Sequence, residues 1–341
     1  MTDFVIVNGK LTEYKGNQEI VEIPSQVTRI GHNAFKGKST LKGVIIPKGV
    51  EAIDSGAFEN CPVLEEIFIP TGVTRIEDQF AENCPSLRAI NVDKDNMSFM
   101  SLDGVIYRNS DKSLLLYPPK KQGEVFEIPQ LVKGLAPFAF SNSHLKKIII
   151  GDYVEIIDEG VFDFCPFLEE IQVSSKNQHH KSINGCLYSK NGDILERYID
   201  KFGKDLVINE DVQIIGEHAC QGCESLENAK IPNGVLEIGG VAFFSCPNLK
   251  SVEIPEGVAT IGYSAFCNCK SLASVILPST LEEIIGFAFS NCPSLEKLEI
   301  PASVKLMDFG VFHNSKTTLL VKKGSYAHTY AVQKELKYIL I

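Results

Sequence analysis

The sequence has 341 residues, of which 44% are hydrophobic and 22% charged, so its composition is that of a folded chain and excludes extensive disorder. Its formal net charge of -10 disfavours a surface that follows phosphates, and no nucleic acid is expected as a partner. The apolar runs are only a few residues long, so no membrane span is predicted either.

The N-terminal residues 1–23 form the first predicted element. The start, MTDFVIVNGK, has no basic region, apolar core or small-residue cleavage site, so no signal peptide is visible and the chain is cytoplasmic as written. Asn8-Gly9 lies between apolar alternations in FVIVNGKLTEY. Such a dipeptide favours a two-residue hairpin turn, because both central positions adopt positive φ. We predict a β-hairpin that caps the open end of the fold.

From Pro24 onward the sequence repeats itself every 23 residues. PSQVTRIGHNAFKGKSTLKGVII, PKGVEAIDSGAFENCPVLEEIFI and PTGVTRIEDQFAENCPSLRAINV follow one another directly from Pro24. The spacing returns later in the chain, which gives nine complete repeats and a tenth that runs into the C-terminus. A unit of this length buries its apolar positions only against its neighbours, so the pattern predicts a solenoid.

Three kinds of position within the repeat predict its core. Apolar residues stand three and six positions after the start, as in Val50 and Ile53, and are expected to face the interior. Phe usually stands at position eleven, as in Phe58, and predicts a tight helical turn whose ring joins an aromatic stack. The alternation at Ile67 and Ile69 predicts one short strand per repeat, and hence a parallel sheet.

Two insertions interrupt the repeats, and the whole chain is predicted to be one solenoid domain. The insertions align at an offset of 81 and contain Asp103-Gly104 and Asn184-Gly185, so both predict β-hairpins that continue or bend the stack. Near the C-terminus Ser325 can cap a helix that precedes a β-like run. The predicted parts are a hairpin cap (1–23), repeats (24–92), a hairpin insertion (93–128), repeats (129–173), a hairpin insertion (174–208), repeats (209–316) and a C-terminal cap (317–341).

The repeat IPxxVxxIGxxAFxxCxxLxxVxIP resembles the BspA-like leucine-rich-repeat family of bacteria. IPEGVATIGYSAFCNCKSLASVILP and IPNGVLEIGGVAFFSCPNLKSVEIP carry the resemblance, and DGVIY, NGCLY and GSYAHTYA are also similar to elements of that family. The resemblance implies an α/β repeat solenoid: a right-handed leucine-rich-repeat superhelix with a parallel β-sheet on the concave face, short helical turns on the convex face and β-hairpin insertions. It also implies a cell-surface or secreted protein that binds host or matrix proteins, without catalytic residues.

Cysteine is the residue type that most invites a chemical role. Seven of the ten cysteines recur at position fourteen of the repeat, which predicts small buried apolar side chains rather than disulfides. Cys220 and Cys223 form C-x-x-C after His218, but this spacing follows from the repeat and no second pair completes a zinc site. Cys186 and Cys267 lie outside the pattern and are the candidates for reactive thiols.

No catalytic, cofactor or metal site is predicted, and the chain is not expected to be an enzyme. The sequence contains no nucleophile elbow, no phosphate-binding glycine loop after a strand and no H-E-x-x-H. An enzyme would require a converging polar cluster.

The candidate binding surface lies on the predicted concave face of the first repeats. Because Ile67 and Ile69 face inward, Phe68 must point outward, and Ile45 is its neighbour one repeat earlier, about 4.8 Å away. These two side chains predict an exposed apolar patch that contacts a protein or peptide. Cross-strand packing or the N-terminal hairpin could instead cover it. The candidate patch consists of Ile45, Phe68, Lys42, Glu65, Glu66 and Arg88.

The sequence therefore favours a non-catalytic protein-binding scaffold, in the manner of an adhesin that binds host or matrix proteins. The alternative is a carbohydrate or cell-wall binding module, which would need aromatic platforms. The chain has no Trp, and Phe68 is the one aromatic residue at the predicted concave positions, so this alternative is weaker.

Overall fold

The computed structural model describes residues 3–341, which divide into two compact units at residue 168. Each unit is a stack of coils, and each repeat forms one coil. The single domain over 1–341 stays a prediction, as does the right-handed sense of the superhelix.

The first compact unit, residues 3–168, has a parallel ladder on two sides of its repeats. Its sheets have the orders β1-β2-β4-β6-β8, β3-β5-β7-β9 and β10-β11-β12-β14-β16, and β13 pairs with β15. The strands are β1 (Phe4–Val7), β2 (Lys10–Tyr14), β3 (Ile20–Glu22), β4 (Arg29–Ile30), β5 (Gly43–Ile45), β6 (Ala52–Ile53), β7 (Glu66–Ile69), β8 (Arg75–Ile76), β9 (Ala89–Val92), β10 (Phe99–Leu102), β11 (Val105–Arg108), β12 (Ser113–Leu116), β13 (Val125–Glu127), β14 (Gly134–Leu135), β15 (Lys147–Ile150) and β16 (Ile156–Ile157).

The second compact unit, residues 169–341, is built in the same way. Its sheets have the orders β18-β19-β20-β21-β23-β25-β27-β29, β22-β24-β26 and β28-β30-β31. The elements are β17 (Glu170–Val173), β18 (His180–Ile183), β19 (Cys186–Ser189), β20 (Ile194–Arg197), β21 (Ile214–Ile215), β22 (Asn228–Lys230), β23 (Glu237–Ile238), β24 (Ser251–Glu253), β25 (Thr260–Ile261), β26 (Ser274–Ile276), β27 (Glu283–Ile284), β28 (Lys297–Ile300), β29 (Leu306–Met307), β30 (Thr318–Val321), α1 (Tyr326–Gln333) and β31 (Tyr338–Leu340).

The prediction of one strand per repeat is wrong, because the repeats of the regular blocks contain two. The apolar positions three and six lie around a separate two-residue strand, such as β6, which pairs in parallel with β4 and β8. The second strand, such as β7, carries the predicted alternation. A 23-residue coil must turn back on itself, and a second ladder satisfies the backbone groups on its other side.

The predicted helical turns at the Phe position are not confirmed. The segment around Phe35 is a run of turns in which Ala34 and Lys36 donate to the carbonyls three residues earlier, and Asn33 has a φ of 59°. The Phe35 amide instead donates to Ala57 O of the next repeat at 2.8 Å. This bond between repeats replaces the i to i-4 bond of a helix. The one helix within residues 3–341 is α1, which Ser325 caps as predicted.

The aromatic stack is confirmed. In the second compact unit the rings of Phe243, Phe266, Phe289 and Phe312 are stacked at centroid distances of 5.2, 5.4 and 6.0 Å, within 10° of parallel. The rings of the first three are fully buried. The 23-residue period places each ring directly over the last, so the stack joins neighbouring repeats.

The three hairpin turns are confirmed as well. Asn8-Gly9, Asp103-Gly104 and Asn184-Gly185 all have positive φ at both residues, and each joins antiparallel strands. The first insertion is anchored by the buried Asn96, whose Nδ2 donates to Pro70 O and Val73 O and whose Oδ1 accepts two amides. Asn96 therefore links the start of the insertion to the repeat that begins at Pro70.

One buried carboxylate links the N-terminal hairpin to the first repeats. Asp54 is 2% exposed, and its carboxylate lies 2.7 Å from Arg29 Nε, 3.1 Å from Lys10 Nζ and 3.7 Å from Arg75. Burial acts to raise the pKa of Asp54, but hydrogen bonds from Arg29 and Lys10 outweigh it and hold that pKa below its usual range. Asp54 is therefore ionised and paired in the folded chain.

Candidate functional site

The candidate surface is the outer face of the β3-β5-β7-β9 sheet. Successive side chains of a strand point to opposite faces, so in β7 Ile67 and Ile69 are fully buried whereas Phe68 is 49% exposed. Ile45 of β5 is 53% exposed. The strands pair with Gly43 opposite Glu66 and Val44 opposite Ile67, and this register continues to place Ile45 beside Phe68.

A third apolar side chain, Ile20, extends this surface, and we call Ile20, Ile45 and Phe68 the N-terminal strip. Ile20 is 57% exposed in β3 and pairs with Gly43. A Cβ on Gly43 would lie 3.1 Å from Ile20 Cδ1, so the absence of a side chain there leaves room for the isoleucine. Sequence reasoning missed Ile20, because it precedes Pro24 and was assigned to the hairpin cap. The register of β3 with β5 reveals it.

A column of alternating charges flanks the N-terminal strip. Lys42 Nζ lies 2.9 Å from Glu19, and Arg88 lies 3.4 Å from Glu65 and 2.8 Å from Glu66. The pKa of Lys42 is raised, and the largest cause is its hydrogen bond to Glu19. These residues are exposed, so the pairs contribute little to stability, but they fix the positions of the charges beside the apolar strip.

The N-terminal hairpin does not cover this surface. Strand β2 pairs with β4, which belongs to the other ladder of the same repeats. The strand pairings place Ile20, Ile45 and Phe68 on one face, with Lys42, Glu65, Glu66 and Arg88 at the starts of the strands beside them. The binding role of this patch stays a prediction. No helix within residues 3–341 has both the length and the hydrophobicity to cross a membrane.

The repeated cysteines have a chemical role that the sequence did not reveal. They are buried or half-buried free thiols, and in six repeats the sulfur lies 3.0 to 3.1 Å from a main-chain carbonyl oxygen twenty-five or twenty-six residues earlier. In the tenth repeat Ser315 takes the position, and its hydroxyl donates to Phe289 O at 2.8 Å. A purely apolar residue could not do this, so the cysteine acts as a buried hydrogen-bond donor. The six pairs are Cys61 with Phe35, Cys84 with Phe58, Cys165 with Phe140, Cys246 with Cys220, Cys269 with Phe243 and Cys292 with Phe266.

The structure gives no support to the prediction that Cys186 and Cys267 are reactive thiols, because both are buried. Cys186 is 1% exposed and burial raises its pKa to about 11, while burial also raises the pKa of Cys267. Since the thiolate is the reactive form, burial and a raised pKa both lower the reactivity expected of these two cysteines. In the C-x-x-C pair, Cys220 is fully buried, and burial likewise raises its pKa. The part of the chain that the structure describes, residues 3–341, holds no group of three His, Cys, Asp or Glu side chains placed for a metal.

An exposed aromatic group in the second compact unit was also missed. Tyr263 and Phe309 are 49% and 57% exposed, and each packs edge-to-face on Phe287, at 5.9 and 5.0 Å between ring centroids. The ring planes of Tyr263 and Phe309 stand at 81° and 90° to that of Phe287, so neither ring forms a continuous flat platform with Phe287. The carbohydrate or cell-wall alternative stays a prediction.

Solved structures similar to the chain are bacterial leucine-rich-repeat proteins. A leucine rich cell surface protein from Faecalibacterium prausnitzii A2-165 is 24% identical, with a TM-score of 0.59 over 96% of this chain and 95% of that chain. A leucine-rich repeat protein from Eubacterium ventriosum is 24% identical over 81% of this chain and 83% of that chain, with a TM-score of 0.49. The pneumococcal vaccine antigen PcpA is 22% identical over 95% and 68%, also at 0.49. At 24% identity, the similarity to the Faecalibacterium protein is evidence about the fold of this chain and about nothing further.

Comparison with curated proteins gives no match. In contrast, the profile described as BspA type Leucine rich repeat region, with six copies, matches residues 10–103, 121–199 and 198–318. These segments cover most of the chain, including the repeats at 24–92, 129–173 and 209–316 and the three residues of the N-terminal strip. The chain belongs to the BspA-type leucine-rich-repeat family.

Proposed function

We propose that this chain is a non-catalytic scaffold that binds a protein or peptide through the N-terminal strip and its charged flank. The observation that carries the proposal is the adjacent exposure of Ile45 and Phe68 on an open sheet face. Isolated exposed apolar residues are ordinary, but neighbours in register on one flat face form a continuous patch of the kind that marks interfaces.

The arrangement has the anatomy of a protein interface. Phe68 is a large side chain that a partner can bury, and burying its exposed half with that of Ile45 supplies a favourable hydrophobic term. Lys42, Arg88 and Glu66 lie beside it as a polar rim. Since these charges are already paired, the rim contributes to orientation and partner choice more than to affinity.

Display at the cell surface or secretion belongs to the same proposal. It is supported by the family and by the Faecalibacterium protein of the same fold, which is described as a cell surface protein. A host or matrix protein is then the partner class that fits, as for an adhesin.

The test compares Phe68→Asp with Ile276→Asp. Ile276 is 58% exposed on the equivalent face of β26 in the second compact unit, so it is a matched control for placing a charge on an exposed sheet residue. Binding of wild type and both variants to a panel of purified matrix proteins is measured by surface plasmon resonance. Thermal unfolding is recorded in parallel.

We expect Phe68→Asp to weaken binding at least tenfold while Ile276→Asp binds like wild type, with both unfolding midpoints within about 2 °C of wild type. Equal binding by Phe68→Asp and wild type would contradict the assignment of the N-terminal strip. Loss of binding in both variants would show that the contact is not specific to this face.

A further inference from the structure

One ladder of the first compact unit ends at an open edge. Along this ladder each repeat donates two amides to the repeat before it, as Arg75 N does to Glu51 O at 3.1 Å and Glu77 N to Ile53 O at 2.9 Å. The corresponding acceptors for the next repeat are Thr74 O and Ile76 O. Within residues 3–341 no hydrogen bond reaches either oxygen, and β8 is the last strand of its sheet.

Asn96 is the reason that the ladder stops. Its Oδ1 accepts the amides of Ser98 and Phe99, both at 2.9 Å, and by the 23-residue period Ser98 is the residue whose amide would donate to Thr74 O. The hairpin that follows is attached by its tip to β9 instead, where Gly104 O accepts the amide of Ile90 at 2.8 Å. The base of the hairpin therefore diverges from β8.

The divergence leaves a groove of about 550 Å³ beside β8. Its walls are residues Thr74 to Ile76 on one side and residues Met97 to Phe99 and Arg108 to Ser110 on the other. This volume lies within the range of sites that hold ligands. Met97 at the rim is 87% exposed, whereas Ile76 and Phe99 form a buried apolar floor.

The charged side chains that line the groove are both basic, and each has acidic partners outside the lining. The groove is lined by two arginines and no carboxylate, in a chain of net charge -10. Arg108 is hydrogen-bonded to Asp111 and Asp78. Arg75 is different: it is 53% exposed, and its guanidinium lies 3.6 Å or more from Glu77 and Asp54, beyond hydrogen-bond distance. These two contacts are ion pairs without a hydrogen bond, so a carboxylate in the groove could add a direct hydrogen bond to Arg75 but would compete with Asp54 and Glu77 for its charge.

We propose that this groove binds an extended acidic peptide, which adds to the ladder as a strand parallel to β8. Two alternate amides of the peptide donate to Thr74 O and Ile76 O. A carbonyl between them accepts the amide of Ile76, which points to the same edge by strand alternation. An acidic side chain of the peptide lies beside Arg75. Addition of a strand to an open edge supplies main-chain hydrogen bonds, and the arginine supplies selectivity.

The probe is a synthetic peptide with the sequence of residues 279–286, STLEEIIG, acetylated and amidated. In the folded chain Glu283 N donates to Ala259 O and Ile285 N to Ile261 O, both at 3.0 Å, which is the pattern proposed for the groove. The peptide is titrated into the isotope-labelled full chain. We expect backbone shifts at residues 74–76 and 97–99, and slower exchange of the Ile76 amide.

Backbone methylation provides the matched control. N-methyl groups on peptide residues Glu283 and Ile285 remove both donors, and we expect at least a tenfold loss of affinity. An N-methyl group on Ile284, whose amide points away from β8, should leave affinity unchanged. Glu283→Gln in the peptide and Arg75→Gln in the chain should each weaken binding about threefold or more, and together no further than either alone.

The proposal is overturned if the peptide causes no shift at residues 74–76, or if the doubly methylated peptide binds as well as its parent. Phe68→Asp should leave peptide binding unchanged, because the N-terminal strip lies on the other ladder of the same repeats. This result separates the groove from the proposed scaffold surface.

Discussion

Replacing Cys269 tests whether the repeated cysteine is a hydrogen-bond donor or only a small apolar side chain. Cys269 is fully buried, and its sulfur lies 3.1 Å from Phe243 O. Within residues 3–341 no other group donates to this oxygen. Cys269→Ala removes the donor and leaves the carbonyl unsatisfied in the core, whereas Cys269→Ser keeps a donor in place.

The free energy of unfolding that Cys269→Ala should lose has two contributions. An unsatisfied buried acceptor costs about 1 to 3 kcal/mol. The lower half of this range applies here, because the thiol that is lost is a weak donor. Loss of the buried sulfur adds about 1 kcal/mol, close to the value of one methylene group. We expect the alanine variant to lose about 2 to 3 kcal/mol of unfolding free energy. The serine variant should lose less than about 1 kcal/mol.

The assay is urea unfolding of wild type and of Cys269→Ala, Cys269→Ser and Cys269→Val, followed by circular dichroism. Valine restores apolar volume without a donor, so the expected order of stability places serine above valine and alanine. Ser315 provides the reciprocal control: Ser315→Cys should be nearly neutral and Ser315→Ala destabilising, because its hydroxyl holds Phe289 O. A valine variant as stable as wild type, with serine below it, would refute the donor role.

Three further predictions concern stability. Phe266→Ala should cost about 3 to 5 kcal/mol in urea unfolding, because its ring stacks on two others, and Phe312→Ala should cost less because its ring stacks on one. The lowered pKa of Asp54 means that its contribution is complete above the unfolded-state value of about 4 and is lost as the pH falls through the folded-state pKa. Unfolding midpoints of Asp54→Asn between pH 2 and 7 should therefore converge with wild type only at the acid end. Gly104→Ala should lower the thermal midpoint, since its φ is +76° and an added Cβ would lie 2.9 Å from Ala89 Cβ; an unchanged midpoint would contradict this strain.

Part of the candidate surface was predictable from the sequence. Alternation in β7 determines that Phe68 points outward, and the 23-residue period places Ile45 beside it. The third member, Ile20, was not predictable, because β3 precedes the first recognisable repeat and only its pairing with β5 places it on this face. The ion pairs of Lys42 and Arg88 depend on side-chain rotamers, which a periodic pattern does not specify.

The sequence by itself determined the repeating coil, the stack of Phe rings and the three hairpin turns. Each of these depends on residues close in the chain or on a strict period, and a period stacks equivalent residues whatever the details of the coil. The tertiary structure decided the second ladder, the donor role of the cysteines and the open edge at β8. These features depend on which backbone groups of neighbouring coils meet, and a carbonyl that lacks a partner leaves no mark on the identity of its residue.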